Sequence, residues 1–119
     1  MQNHHNLIVW QKAHALSVTV YRVARGIARR DRSGLASQAN RAAKSISANI
    51  TEGCNRSSNK DFARFLQIAI ASASELEDHI LYARDVDLLS PNEAGSIIGK
   101  VVEVRRMLYG LIKKLNEDR

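Results

Sequence analysis

The sequence predicts an all-α fold, an antiparallel up-and-down four-helix bundle, on three observations. Four long stretches repeat apolar residues at intervals of three and four, no stretch alternates with a period of two, and the breaks between stretches are short. Short breaks make sequential helices neighbours of opposite direction, and at about 1.5 Å per residue such helices run roughly 30–40 Å. Residues 1–119 are expected to form a single domain with helices at about 6–30, 35–52, 59–87 and 91–116.

The first segment places Leu7, Trp10, Ala13, Ser17, Val20, Ala24 and Ile27 on one face, and the pattern breaks over Arg29-Arg30-Asp31-Arg32-Ser33-Gly34. The second repeats Leu35, Ala39, Ala42, Ile46 and Ile50. Gly53 stands where a helix-terminating C′ glycine belongs, and Cys54-Asn55-Arg56-Ser57 reads as a loop. The third opens on Ser58 with Asp61 three residues later, a capping signal with a carboxylate in place of the preferred Glu or Gln. Phe62, Phe65, Leu66, Ala69, Ala73, Leu76 and Ile80 then repeat. The fourth has the strongest start: Ser90 as cap, Pro91 in the first turn and Glu93 to close a capping box. Ala94, Ile97, Ile98, Val101, Val104, Leu108, Leu111, Ile112 and Leu115 follow, with Gly95, Gly99 and Gly110 read as points of close approach.

Charge narrows the function. The net charge is +6, distributed as +5 over residues 1–35, +3 over 36–60, −4 over 61–90 and +2 over 91–119. One surface is therefore basic and another acidic, which suits nucleic-acid contact and also head-to-side self-assembly. Arg22, Arg25 and Arg29 share a helix face at i, i+3 and i+7, and Arg30 and Arg32 follow them. These five are the candidate nucleic-acid contacts, because guanidinium forks match phosphate oxygens and grip the backbone without reading sequence. No aromatic residue punctuates the run, so base stacking is not expected. A second basic set, Lys100, Arg105, Arg106, Lys113 and Lys114, is diluted by Glu103 and Glu117.

On the second helix, Gln38, Arg41, Ser45, Asn49 and Glu52 fall within about 80° of one another on a flank of the apolar face. A hydrogen-bonded network between helices or subunits is the preferred reading, ahead of a solvated face, a ligand or RNA surface, and catalysis. Arg41 and Glu52 each need a partner from another helix, such as Glu75, or from another chain, and Arg56 in the following loop belongs to the same expected network.

Catalysis finds no support. Glu75 and His79 are four apart with no second such pair, which does not fit a di-iron bundle. His4 and His5 read as a flexible terminal pair, and His14 as a surface or boundary residue. Cys54 has no triad and follows a helix C-terminus, where the dipole disfavours a thiolate. A single cysteine forms no intrachain disulfide. No catalytic residue, metal or cofactor is expected, and the protein is read as a non-enzyme. With no export pattern and no run of 18 apolar residues, it is expected in the cytoplasm and off the membrane.

A larger ordered set spans residues 7–77. It comprises Leu7, Val9, Trp10, Gln11 and Ala13, then Gly34, Leu35, Gln38, Arg41, Ala42, Ser45, Ile46, Asn49, Ile50, Glu52, Gly53 and Arg56, then Phe62, Phe65, Leu66, Ile68, Ala69, Ser72, Glu75, Leu76 and Glu77. In that set the chain resembles the bacterial four-helix-bundle proteins encoded within intervening sequences of 23S ribosomal RNA genes. The resemblance implies a left-handed bundle that assembles as a homopentamer, with no activity established for the family. It extends distantly to the accessory proteins of diversity-generating retroelements, pentameric and basic, which work with a reverse transcriptase and its RNA. Two departures stand out: Ile27-Ala28-Arg29-Arg30 replaces the usual aromatic-Pro turn, and Ala71 replaces a glycine of the third helix. The expected function is a non-enzymatic oligomer that binds RNA, ribosomal or otherwise structured, through its basic surface. The alternative is an assembly scaffold or adaptor for an unidentified protein partner, without nucleic-acid affinity.

Overall fold

The protein is described here by a computed structural model covering residues 3–118. The apolar repeats wind four helices around one core: α1 (Ile8–Arg30), α2 (Leu35–Cys54), α3 (Asn59–Asp85) and α4 (Pro91–Glu117), with a short 3-10 turn at His4–Asn6 before α1. The result is an all-α four-helix bundle. α2 packs on α1 and α3, and α4 packs on α3 and α1, so the four helices enclose a continuous core in a body of 48 × 20 × 19 Å. Leu16, Ile46, Ile50, Leu66, Leu76, Ile80, Ile97 and Leu108 are fully buried. Each such side chain contributes about 1.5–3 kcal/mol. Ala13, Ala43, Ala69, Ala73 and Ala94 sit among them without exposure, which lets the helix backbones approach closely. No polar or charged residue is buried among the described residues.

The core line of α1 differs from the expected face. Val9, Ala13, Leu16, Val20, Ala24 and Ile27 are buried, while Leu7, Trp10 and Ser17 are only half-buried. A period of 3.6 drifts across any fixed three-four count, and here it carries Val9 and Leu16 inward.

The helix ends show which local signals act. Gly34 enters α2 at φ 94°, a left-handed conformation that glycine adopts without strain. Gly53 does not act as the expected C′ glycine: α2 continues to Cys54, two residues beyond the expected end, and the cap residue Asn55 has right-handed φ −88°. Gly53 is required for a different reason. A Cβ there would lie 2.7 Å from Cδ1 and 3.2 Å from the carbonyl oxygen of Phe62, the first core residue of α3. Ser58 accepts from the backbone N–H of Asp61 at 3.1 Å, and α3 ends at Asp85, short of the expected 87. Ser90 and Glu93 form both halves of the capping box of α4. Gly95, Gly99 and Gly110 face open space rather than points of close approach.

Candidate nucleic-acid interface

The basic face begins with what α1 lacks. No acidic residue occurs before Asp31, and α2 contains one, Glu52 near its end. Arg22, Arg25 and Arg29 are exposed along α1, and Arg32 is exposed in the turn after it. None of these four carries an ion pair among the described residues. Arg30 is placed differently. Its Nη2 donates to the Asp87 carbonyl at 2.8 Å and its Nη1 to that of Leu88 at 3.4 Å. Those bonds tie the end of α1 to the turn after α3, where Asp87 holds φ 63°. Lys12 pairs with Glu103 at 3.3 Å. In the second basic set, Arg105 is held by Glu77 at 2.7 Å and by Ser74 at 3.3 Å.

Beside this face, α1 and α2 border an open, mainly apolar groove of about 410 Å³ lined by His14, Ser17, Val18, Tyr21, Asn40 and Lys44. Tyr21 is 56% exposed, and its hydroxyl has no hydrogen-bond partner among the described residues. The run from Arg22 to Arg32 contains no aromatic residue, as expected, but Tyr21 stands immediately before it and one turn before Arg25. The i, i+4 spacing of Tyr21 and Arg25 was the available signal. His4 and His5, expected to be a flexible terminal pair, form the 3-10 turn and pack edge-on to the Trp10 ring at 5.0 and 4.8 Å. Trp10 in turn stacks on His14 at 5.0 Å.

The polar flank of α2 faces α3. Gln38, Arg41 and Ser45 line an open groove of about 660 Å³ with Ser72, Glu75 and His79. Ser45 and Ser72 share a hydrogen bond of 2.7 Å, and Asn49 donates to the Ser45 carbonyl at 2.8 Å and to its Oγ at 3.1 Å. Glu52 finds its partner within one turn: Arg56 at 2.7 Å, rather than a residue of another helix. Extending α2 past Gly53 makes that i,i+4 pair possible. The Arg56 guanidinium also lies 4.5 Å over the Phe65 ring, as does that of Arg64, which pairs with Asp61 at 2.9 Å. Glu75 approaches its own i+4 neighbour His79 at 3.6 Å. Gln38 and Arg41 stay exposed at the groove, and Arg41 has no ion pair among the described residues.

The profile of the 23S rRNA-intervening sequence protein family matches residues 5–110. The chain belongs to that family. A solved structure from Bacteroides thetaiotaomicron, a protein with unknown function from the S23 ribosomal protein family, is similar over 89% of this chain and 99% of that chain, with a TM-score of 0.85 and 24% identity. At that identity the likeness establishes the fold alone. No curated protein matches the chain.

For this family member the remaining chemistry is sparse. Burial pushes the Cys54 thiol up, away from the reactive thiolate. Among the described residues, no group of three or more His, Cys, Asp or Glu could hold a metal ion, and no helix is long and apolar enough to cross a membrane.

Proposed function

We propose that this family member is a non-enzymatic, cytoplasmic RNA-binding protein. It grips the phosphate backbone of structured RNA through Arg22, Arg25, Arg29 and Arg32, with Arg30 giving up part of its reach to the turn after α3. The observation that carries this reading is a row of exposed arginines, without ion pairs among the described residues, on and just after a helix that has no acid to neutralise them. Fixed cations release counterions when they meet phosphate, so affinity falls steeply with salt. The distant likeness to retroelement accessory proteins supports RNA as the polyanion by analogy.

The bundle is read as antiparallel and up-and-down. Asn59 at the start of α3 meets Leu115 near the end of α4, and Glu77, further along α3, meets Arg105 further back in α4, which supports that order. The assembly is read as a homopentamer. Unlike charge on different faces, and an Arg41 at the α2–α3 groove with no ion pair among the described residues, support subunit contacts there, and a ring would multiply the basic patch into avidity.

The test is RNA retention on the purified full chain across a salt series, with intact mass measured in parallel. Reversing charge in Arg25→Glu/Arg29→Glu is expected to make the log-log salt slope shallower by about 2 without unfolding the protein. Wild-type protein that leaves RNA unbound at low salt would falsify the reading. A second reading, a protein adaptor, is favoured by the exposed Tyr82 and Val86 beside Asp78 and Asp85 on the acidic end of α3. It predicts a stable ring with a co-purifying protein and no RNA affinity, and a monomer at micromolar concentration would sink it.

A further inference from the structure

The groove between α1 and α2 differs from the other surfaces in combining three properties. Its lining is largely apolar, with Val18 and the ring of Tyr21 exposed. Its rim is cationic: Lys44 lines it, and Arg25 stands one helical turn from Tyr21 on the same flank. No acidic residue lies on α1, and none on α2 before Glu52, so nothing on either wall neutralises that rim. An apolar slot inside a cationic frame suits a ligand with a flat uncharged face and an anionic connector. A nucleotide strand has that construction, with a π-face on every base and a phosphate between sugars.

We propose that this groove is a base-stacking slot for single-stranded RNA, such as the unpaired loops and ends of a structured RNA, a reading that rests on the RNA-binding function above and specifies which part of the RNA enters the groove. One base stacks on Tyr21 and packs against Val18. The Asn40 amide, which offers both a donor and an acceptor, faces the base edge. Lys44 and Arg25 hold the flanking phosphates. The groove, at about 410 Å³, is roomier than one planar base needs and is open to solvent, so a strand can run along it. A duplex cannot use the slot, because its base faces are already stacked on one another. A second copy of this same surface is repelled by like charge.

The experiment measures anisotropy of fluorescein-labelled probes with the full chain at low salt. The probes are an oligoadenylate, an abasic ribose-phosphate strand of equal length, and a blunt RNA duplex. The oligoadenylate is expected to bind more tightly than either other probe. Tyr21→Ala is expected to lose roughly 5- to 150-fold on the oligoadenylate, the range of one base–aromatic stack, and nothing on the abasic strand. Tyr21→Phe should retain the wild-type difference, because the ring is kept. Tyr21 is exposed, so both variants are expected to melt like the wild type, and Lys44→Ala provides a second perturbation that should weaken all probes alike. Equal affinity for the oligoadenylate and the abasic strand, or a Tyr21→Ala variant indistinguishable from wild type, overturns the slot while leaving backbone binding standing. Dissociation of the assembly by Tyr21→Ala with RNA affinity intact also overturns it, and makes the groove a subunit contact. Absence of binding to every probe defeats the RNA-binding function itself, and the slot with it.

Discussion

The two flanks of α2 face different neighbours and are chemically opposite. Toward α3, Ser45 bonds Ser72 while Asn49 folds back on Ser45. Further along the same flank, Glu52 holds Arg56. Toward α1, Asn40 and Lys44 border Val18 and Tyr21 with no side-chain hydrogen bond across the groove among the described residues. The first flank meets its polar needs mostly from within the chain, whereas the second leaves an ammonium, an amide and an aromatic ring to solvent. One helix thus has a flank organised by internal bonds and a flank with binding capacity left over. Polar residues in a row are largely consumed by internal bonds; the charge left unpaired beside an exposed ring is what the proposed binding surface rests on.

The largest expected effect comes from removing the stripe that both flanks depend on. Ile46 has no exposure, and Ile46→Ala is expected to cost about 2–5 kcal/mol in urea unfolding. A fall far below that range would mean that α2 is not anchored between the grooves as described. The internally bonded flank gives a smaller signal. Ser45→Ala is expected to cost about 1 kcal/mol, since it strands Ser72 and one bond of Asn49. Adding Ser72→Ala should then cost less than it does alone, and strict additivity in that cycle would dissolve the contrast between the flanks. At the end of α2, Gly53→Ala is expected to lose about 1 kcal/mol. Overpacking against Phe62 costs about 1–3 kcal/mol, and about 1 kcal/mol of helix propensity offsets it. The same change at Gly99, which faces open space, should stabilise instead. Smallest of all, Arg25→Glu/Arg29→Glu should move stability by no more than about 0.5 kcal/mol while weakening RNA retention, which separates the open flank's function from the fold.

Much of the architecture was readable in residue spacing. Ser90-Pro91-Asn92-Glu93 announced α4, and Ser58 with Asp61 announced α3, because a cap is satisfied within three residues of itself. Repeats such as Leu35, Ala39, Ala42, Ile46 and Ile50 placed the core face of α2 for the same local reason. The candidate site was only partly readable. The exposed row of Arg22, Arg25 and Arg29 followed from helical spacing, but the second task of Arg30 did not, because its carbonyl partners lie 57 and 58 residues away. Tyr21 falls outside the expected apolar face of α1, so its exposure was readable, but the groove it shares with Asn40 and Lys44 was not, because those residues lie on another helix.

Residue order along the chain dictated four helices, the N-terminal caps of α3 and α4, an acid-free first helix and an uneven charge, since each rests on propensity and periodicity over a few turns. Packing settled the rest. It turned Gly53 from a terminator into the clearance that Phe62 needs. It also set α2 between α1 and α3, with one polar and one apolar groove on its two sides. Those outcomes depend on distances between residues far apart in the chain, which only the closing of the helices around a shared core brings into being.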